Sequence, residues 1–256
     1  MQRQAAGVDA GLRGRCVVIT RPVGSATALV RRVRAAGGVP VLLPGMALRG
    51  APDASLVRAA LHAALGDDLL VFTSPTAVRF AARLAPLHTS AGVFAVGQGT
   101  ARVLRRHGVA APLVPRRQDS EGLLGHPALA NVRGRRVALI GAPGGRGVLR
   151  QELAARGAHL REVQVYRRVP ARLDRRHLAA LAGLPPSACV LLSSAEALHN
   201  LCQQLPPPAL ARWLAAIAVV SSGRLAAAAH AAGFTRVELA ASALSGDLLD
   251  AALRLA

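Results

Sequence analysis

The sequence predicts an α/β protein of two similar domains, each built from a parallel sheet covered by helices. Short apolar segments that end in turns rich in Ser, Thr or Gly alternate with segments whose apolar residues recur at helical spacing. This alternation occurs twice along the chain. With 256 residues, 52% of them hydrophobic, the chain is long and apolar enough to bury two cores.

The first repeated element is a strand, a turn and a helix. The segment VVITRPVGSATALVRRVRAAGG from Val17 parallels VALIGAPGGRGVLRQELAARGA from Val137, 120 residues further on. In each copy apolar residues such as Leu29 or Leu149 recur at helical spacing. Gly37 and Gly157 then occupy the position at which glycine commonly ends a helix. The same strand–turn–helix unit is therefore predicted near both positions.

Two further elements repeat at nearly the same offset. LLVFTSPTAVRFAARL (69–84) corresponds to ACVLLSSAEALHNLCQQL (188–205), and VFAVGQGTARVLRRHGV (93–109) to AIAVVSSGRLAAAAHAAGF (216–234). A period near 120 residues exceeds the roughly 20–50 residues of solenoid repeats. The chain is therefore a duplicated α/β unit with alternating strands and helices, which favours parallel sheets.

Two apolar segments, VPVLLPG (39–45) and REVQVYRRV (161–169), follow the two equivalent first helices and are predicted to be extended. If each first strand–helix unit packs with the rest of its own half, the domains are consecutive along the chain. If the two extended segments cross side by side, the halves exchange units. The pattern alone leaves both arrangements open.

Six strand-to-helix turns are the candidate ligand sites. A parallel sheet gathers such turns at one edge, where the free N–H groups and positive dipole of each helix N-terminus can meet an anion. The alternative is that the Ser and Thr residues only cap helices. The turns are residues 21–25, 73–76, 97–100, 141–147, 193–195 and 221–224.

The turn IGAPGGRGV (140–148) resembles a phosphate loop but lacks its chemistry. The Walker pattern needs Lys followed by Ser or Thr, and the chain contains no Lys. The dinucleotide fingerprint fails as well, because Arg150 stands where a third small residue is needed. Neither nucleotide-binding motif explains this loop.

The net charge of +19 points to an anionic partner, unless Arg-rich composition alone explains it. Arg residues are spread along the chain and aromatic residues make up only 2% of it, which disfavours nucleic acid. Three cysteines without CxxC spacing argue against disulfides or zinc and favour a reducing compartment. No segment is apolar enough for a signal peptide or membrane span, and residues 1–14 are predicted to be a loose tail.

The order and spacing of several motifs resemble the uroporphyrinogen-III synthase family over nearly the whole chain after residue 14. These motifs are TRP (20–22), FTSPTAV (72–78), AVGQGTA (95–101), SEGLL (120–124), GGRGVL (144–149) with RGA (156–158), VYRR (165–168) and SSAEAL (193–198). The resemblance implies exchanged halves. One domain would comprise 1–39 and 170–256 and the other 47–161, with linker strands 40–46 and 162–169 and a cleft between the domains.

The resemblance also implies an activity. Hydroxymethylbilane, an octacarboxylate, would lose the hydroxyl of ring A as water and close to uroporphyrinogen III with inversion of ring D. No metal or other cofactor would be needed. We expect a cytoplasmic monomer that receives its substrate from hydroxymethylbilane synthase and binds neither nucleic acid nor membrane.

The residues that match the family motifs become the candidate site. Tyr166, the only tyrosine, is the catalytic candidate, because its phenol could donate a hydrogen bond to the departing hydroxyl. The substrate-binding candidates are Arg21, Thr73, Ser74, Gly97, Thr100, Ser120, Gly144, Gly145, Arg146, Ser193, Ser194, Ser221, Ser222 and Arg224. The alternatives are a non-catalytic protein that binds a polyanionic small ligand, or a basic nucleic-acid binder.

Overall fold

A computed structural model describes residues 11–144 and 147–255. Its strands are β1 (Cys16–Ile19), β2 (Val39–Leu42), β3 (Met46–Gly50), β4 (Leu69–Phe72), β5 (Gly92–Ala95), β6 (Arg136–Gly141), β7 (His159–Gln164), β8 (Tyr166–Pro170), β9 (Cys189–Leu192), β10 (Ile217–Val220) and β11 (Arg236–Leu239). Its helices are α1 (Val23–Ala35), α2 (Ala54–Leu65), α3 (Pro75–Leu84), α4 (Gln98–Arg106), α5 (Ser120–Leu124), α6 (Gly147–Ala155), α7 (Arg175–Ala182), α8 (Ala195–Gln204), α9 (Pro207–Leu214), α10 (Gly223–Ala232) and α11 (Ser245–Leu253), with a 3₁₀ turn at Pro127–Leu129.

The chain forms two compact units. The terminal unit comprises the described residues of Met1–Ala47 and Val169–Ala256, and the central unit those of Leu48–Arg168. The terminal unit contains a five-stranded parallel sheet in the order β11-β10-β9-β1-β2, and the central unit a four-stranded parallel sheet in the order β5-β4-β6-β7. The predicted α/β class with parallel, helix-covered sheets is confirmed.

The strand pairing resolves the question that the repeat left open. β1 lies beside β9 in parallel, with Val18 opposite Val190, and β6 lies beside β4, with Ala138 opposite Leu70. The first strand–helix element of each copy therefore completes the sheet of the other half. β1 and β6 are nearly fully apolar, as expected for strands buried on both faces of a sheet.

The paired strands outside the two sheets overlap the predicted linkers 40–46 and 162–169 in part: β8 lies within the second except for Pro170, and β3 shares only Met46 with the first. β2 and β7 each extend a main sheet, and the two-stranded sheet is formed by β3 and β8. The chain passes from one unit to the other within β3 and β8. The predicted linker bounds differ from the observed strands because each predicted linker contains the end of a sheet strand followed by the start of a paired strand. Hydrophobic content alone did not separate these successive strands.

The predicted loose tail is wrong for its last residues. Leu12 is only 1% exposed and packs in the terminal unit with Val17, Leu29 and Val33. Its N–H donates to the carbonyl of Ala36 at 2.7 Å. An isolated leucine among polar residues carries no periodic signal, so the sequence pattern missed this contact. Residues 1–10 lie outside the described chain.

Gly37 follows the end of α1 and Gly157 follows the end of α6, as predicted. Both adopt left-handed backbone, with φ of 78° and 80°, which glycine reaches without steric cost. In the part of the chain that the structure describes, no helix has the length and apolar character to span a bilayer.

Candidate active site

The six predicted turns divide between the two units, three in each. The turns after β1, β9 and β10 follow adjacent strands of the terminal sheet, and those after β5, β4 and β6 follow adjacent strands of the central sheet. Each set lies at the carboxyl ends of its strands, the edge at which open α/β sheets bind ligands. Each unit therefore gathers three helix N-termini at one edge.

Three of the predicted serines act as helix caps. The Oγ atoms of Ser74, Ser194 and Ser222 accept the N–H of the residue three positions later, at 3.0, 3.3 and 3.3 Å. Each cap satisfies one N–H group, and the other N–H groups of the first turn still have no intrahelical partner. These turns therefore offer backbone donors to an anion, while the serine oxygens already have a structural role. Ser193 and Ser221, which precede two of the caps, are half-buried.

The turn after β5 is capped by a side chain that the sequence motifs did not reveal. Gln118 Oε1 accepts the N–H of Gln98 at 2.9 Å, and a side chain at Gly97 would come within 2.7 Å of that oxygen. Glycine at position 97 therefore permits the close approach of Gln118. No local pattern marks Gln118, because it lies 20 residues after Gln98, the residue whose N–H it accepts.

Thr100 and Ser120 are largely covered by protein. Thr100 is 1% exposed and lies on the buried face of α4, so its turn presents backbone groups in place of the predicted hydroxyl. Ser120 is the first residue of the short α5 and is 8% exposed; the preceding Asp119 caps this helix by accepting the N–H of Gly122 at 2.8 Å.

Tyr166 lies beside the turn after β4. It begins β8, is 9% exposed, and its Oη lies 3.3 Å from Ser74 Oγ. Its ring stacks on Phe80 of α3, with centroids 5.5 Å apart and an interplanar angle of 18°. The N–H of Val165 donates to the carbonyl of Gly141 at 3.0 Å, which fixes the backbone next to Tyr166. The structure thus brings Tyr166 together with two of the predicted turns of the central unit.

Thr73 lies against the end of β6. Its Oγ1 donates to the carbonyl of Ile140 at 3.2 Å, and a Cβ at Gly141 would lie only 2.4 Å from that Oγ1. A glycine at position 141 is therefore what allows the two turns to meet.

A cavity of about 260 Å³ opens beside this junction, lined in part by Thr73, Gly141, Gly144, Arg150 and Glu162. Arg150 and Glu162 form an ion pair across its wall, with Nη1 and Oε1 3.7 Å apart. Gly144 has a φ of 71°, which favours glycine. The other two candidates of this loop, Gly145 and Arg146, lie outside the described residues.

Arg21 has internal partners that the sequence prediction did not include. Its guanidinium donates to Ser245 Oγ at 3.1 Å and to the carbonyl of Ala243. Burial lowers the pKa of Arg21, although a guanidinium remains a cation at neutral pH. Arg21 therefore ties the turn after β1 to the loop after β11. Arg224, in contrast, is exposed in the first turn of α10.

Comparison with known proteins gives consistent results. Residues 27–250 match the family model described as uroporphyrinogen-III synthase HemD. The chain is 31% identical to the uroporphyrinogen-III synthase of Escherichia coli K12 over 246 residues, covering 92% of this chain and 98% of that protein. It is 30% identical to the Salmonella typhimurium LT2 enzyme of the same name over 249 residues, with the same coverage.

Solved structures share the fold. The uroporphyrinogen-III synthetase of Helicobacter pylori 26695 superposes with a TM-score of 0.61 at 14% identity, covering 94% of this chain and all of that one. A mutant uroporphyrinogen III synthase from the extremely thermophilic bacterium Thermus thermophilus gives a TM-score of 0.59 at 21% identity, covering 94% and 98% of the two chains. At these identities the likeness concerns the fold alone.

Proposed function

Because the chain belongs to the uroporphyrinogen-III synthase family, we propose that it closes hydroxymethylbilane to uroporphyrinogen III with help from the phenol of Tyr166. Its function is in tetrapyrrole biosynthesis. The observation that supports the role of Tyr166 most directly is its place at the carboxyl edge of the central sheet, with Oη 3.3 Å from the cap of α3.

The reaction places limited demands on side chains. The pyrrole nitrogen of ring A expels the hydroxyl, and ring D attacks the resulting azafulvene at its already substituted carbon. The spiro intermediate then fragments and recloses with ring D inverted. The departing hydroxide and one proton, lost when ring D regains aromaticity, together make the water that is released. A hydrogen-bond donor at the departing oxygen is the assistance that Tyr166 supplies.

Positioning is the larger task, because the bilane also closes unaided to the non-inverted isomer. The protein must hold the chain so that the substituted carbon of ring D meets the electrophile. We propose that the backbone N–H groups at the six helix N-termini hold the carboxylates, together with exposed cations such as Arg224. The net charge of +19 favours the approach of an octacarboxylate to the protein.

Isomer analysis tests the proposal. Hydroxymethylbilane is incubated with the purified chain, without added metal or nucleotide, and the products are oxidised to porphyrins and separated. We expect isomer III to dominate, with isomer I dominant in the protein-free sample. A folded protein that leaves isomer I dominant would overturn the enzymatic proposal. Binding of the bilane without formation of isomer III would indicate the non-catalytic binding protein instead.

We also propose that the chain acts as a cytoplasmic monomer and takes its substrate from hydroxymethylbilane synthase. The three cysteines are free thiols, and burial raises the pKa of the Cys189 and Cys202 thiols, which keeps them protonated and unreactive. If transfer is direct, diluting both enzymes together should leave the share of isomer I unchanged. A rising share of isomer I on dilution indicates free diffusion. Light scattering measures the oligomeric state.

A further inference from the structure

We infer that Ser74 is a positioning residue for Tyr166: it donates a hydrogen bond to the phenol oxygen, so that the phenol proton is left for the substrate. This inference rests on the proposed role of Tyr166 and adds the residue that orients it. Ser74 was predicted from the sequence as a substrate contact. The structure gives its oxygen two partners within the protein.

Ser74 Oγ needs to act as an acceptor in one of its two contacts and can act as a donor in the other. The N–H of Ala77 donates to it at 3.0 Å, which uses one lone pair of the hydroxyl oxygen. Tyr166 Oη lies 3.3 Å away on the other contact, and the serine proton can rotate toward it. Ser74 can therefore accept the helix N–H and donate to the phenol at the same time.

The field of α3 favours this direction. Ser74 caps a ten-residue helix, whose N-terminus carries partial positive charge. Negative charge that develops on the phenol oxygen is stabilised there. The bonds from Ala77 N–H to Ser74 and from Ser74 to Tyr166 then run in one direction and polarise each other. In the opposite direction the phenol proton would be held by Ser74 and withheld from the substrate.

The same helix also fixes the phenol ring. Phe80 stacks on Tyr166, and the guanidinium carbon of Arg83 lies 5.1 Å from the Phe80 ring centroid. The ring of Tyr166 is thereby held from the side of α3 while its oxygen meets Ser74. Helix α3 and its cap Ser74 therefore set both the plane of the phenol ring and the environment of its hydroxyl.

The internal repeat separates capping from orientation. Ser194 occupies the equivalent position in the other copy and accepts the N–H of Ala197 at 3.3 Å. The chain has a single tyrosine, so Ser194 has no phenol to orient. Capping is therefore common to both serines, and the phenol contact is specific to Ser74.

Two substitutions at position 74 test the inference. Ser74→Gly removes the hydroxyl but places at the cap a residue that helix N-termini tolerate, as the N-cap position of Gly97 in α4 shows. Ser74→Thr keeps both the cap and the hydroxyl. Asp53→Ala is the matched control, because it removes only the cap of α2, where Asp53 Oδ1 accepts the N–H of Leu56 at 2.8 Å.

We expect Ser74→Gly to lower kcat by about tenfold with KM nearly unchanged, the effect of losing one hydrogen bond that matters in the transition state. Ser74→Thr should restore kcat, and Asp53→Ala should leave it unchanged. In the Tyr166→Phe background, Ser74→Gly should cost nothing further, because both changes remove the same interaction.

A second measurement does not depend on turnover. Tyrosine labelled with ¹³C at the ζ carbon gives one NMR resonance, since Tyr166 is the only tyrosine. This resonance should move in Ser74→Gly and stay in place in Asp53→Ala and Ser194→Ala. Losses that add in the double variant, an unchanged or higher kcat in Ser74→Gly, or an unmoved resonance would overturn the inference. An unchanged kcat in Tyr166→Phe would instead overturn the proposed role of the phenol itself.

Discussion

Tyr166 is 9% exposed, and its ring stacks on Phe80 while its hydroxyl lies beside Ser74. At the level of this single residue, the packing of the ring and the chemistry of the hydroxyl can therefore be tested separately. A substitution that removes only the hydroxyl should leave the ring in place and report the chemical role of the phenol. The surrounding turns contribute chiefly backbone groups, so single side-chain changes there should have smaller effects.

Tyr166→Phe should lower kcat by about 10- to 100-fold, less than the usual maximum for general-acid help because the pyrrole nitrogen already drives the departure of the hydroxyl. The product should remain isomer III, since other contacts position ring D. Stopped-flow turnover with isomer analysis measures both quantities. A switch to isomer I would mean that Tyr166 orients the bilane.

Ser194→Ala should cost about 0.5–2 kcal/mol of stability through the lost cap of α8. Turnover should fall by about tenfold or less, because the backbone N–H donors remain in place. Chemical denaturation and steady-state kinetics give the two values. Complete loss of activity in a folded Ser194→Ala protein would contradict a site built from distributed backbone donors.

At the scale of elements, the loop between β2 and β3 packs directly on α8. A Cβ at Gly45 would lie 2.5 Å from the carbonyl oxygen of Ala197 and 2.7 Å from its Cα, and backbone atoms cannot rotate away. Asn200 of α8 also donates to the carbonyl of Gly45 at 3.1 Å. The contact between this loop and the helix therefore depends on glycine at position 45.

Gly45→Ala should destabilise the terminal unit by about 1–3 kcal/mol through overpacking. Gly183→Ala is the matched control, since a Cβ at Gly183 meets nothing within 4 Å and its φ is negative. Urea denaturation followed by the fluorescence of Trp213, in the same unit, measures both. Equal stability of the two variants would show that the loop moves away from α8 at no cost.

The first turn of α7 gives a pH-dependent contribution to stability. The pKa of Asp174 is lowered most by the hydrogen bond from the N–H of His177. The imidazole of His177 and the N–H of Arg176 lower it further. A carboxyl whose pKa is lower in the folded state stabilises the fold above its unfolded pKa of about 3.9, and this contribution is lost as the pH falls further.

Asp174→Asn keeps a good N-cap residue without a titrating group. Its stability should fall below that of the wild type at neutral pH, and the difference should shrink as the pH drops below about 4. Denaturation at a series of pH values measures the difference. A gap that stays constant down to about pH 2 would contradict the link to ionisation.

At the scale of the whole molecule, the two units have separate hydrophobic cores. Trp213 lies in the core of the terminal unit, fully buried against Phe234 with ring centroids 4.9 Å apart. Tyr166 lies in the core of the central unit with Leu70 and Phe72. Since the chain has one tryptophan and one tyrosine, each unit carries its own probe.

Leu70→Ala should destabilise the central unit by about 2–5 kcal/mol. The urea transition followed by the ¹³C resonance of Tyr166 should shift, while that followed by Trp213 fluorescence should shift less. Leu201→Ala, in the terminal core, should do the reverse. Equal shifts of both probes in both variants would show that the two cores unfold as one cooperative unit.

Features that depend on local pattern could be predicted from the sequence. Hydrophobic spacing predicted the parallel α/β class, and the repeat near 120 residues predicted two similar halves. The glycines at 37 and 157 marked left-handed turns correctly. Each of these follows from residues close together in the chain, since helical and strand periodicity and glycine conformation are local properties.

The contacts between segments that are distant in the chain became visible only in the fold. It placed β1 beside β9, Leu12 in the core, Gln118 at the N-terminus of α4, and Ser74 next to Tyr166, which lies 92 residues away in the sequence. Parallel pairing joins strands across long connections, and a turn residue finds its partner only after both sheets have formed. Such contacts depend on packing between segments, for which the order of residues within any one segment carries no signal.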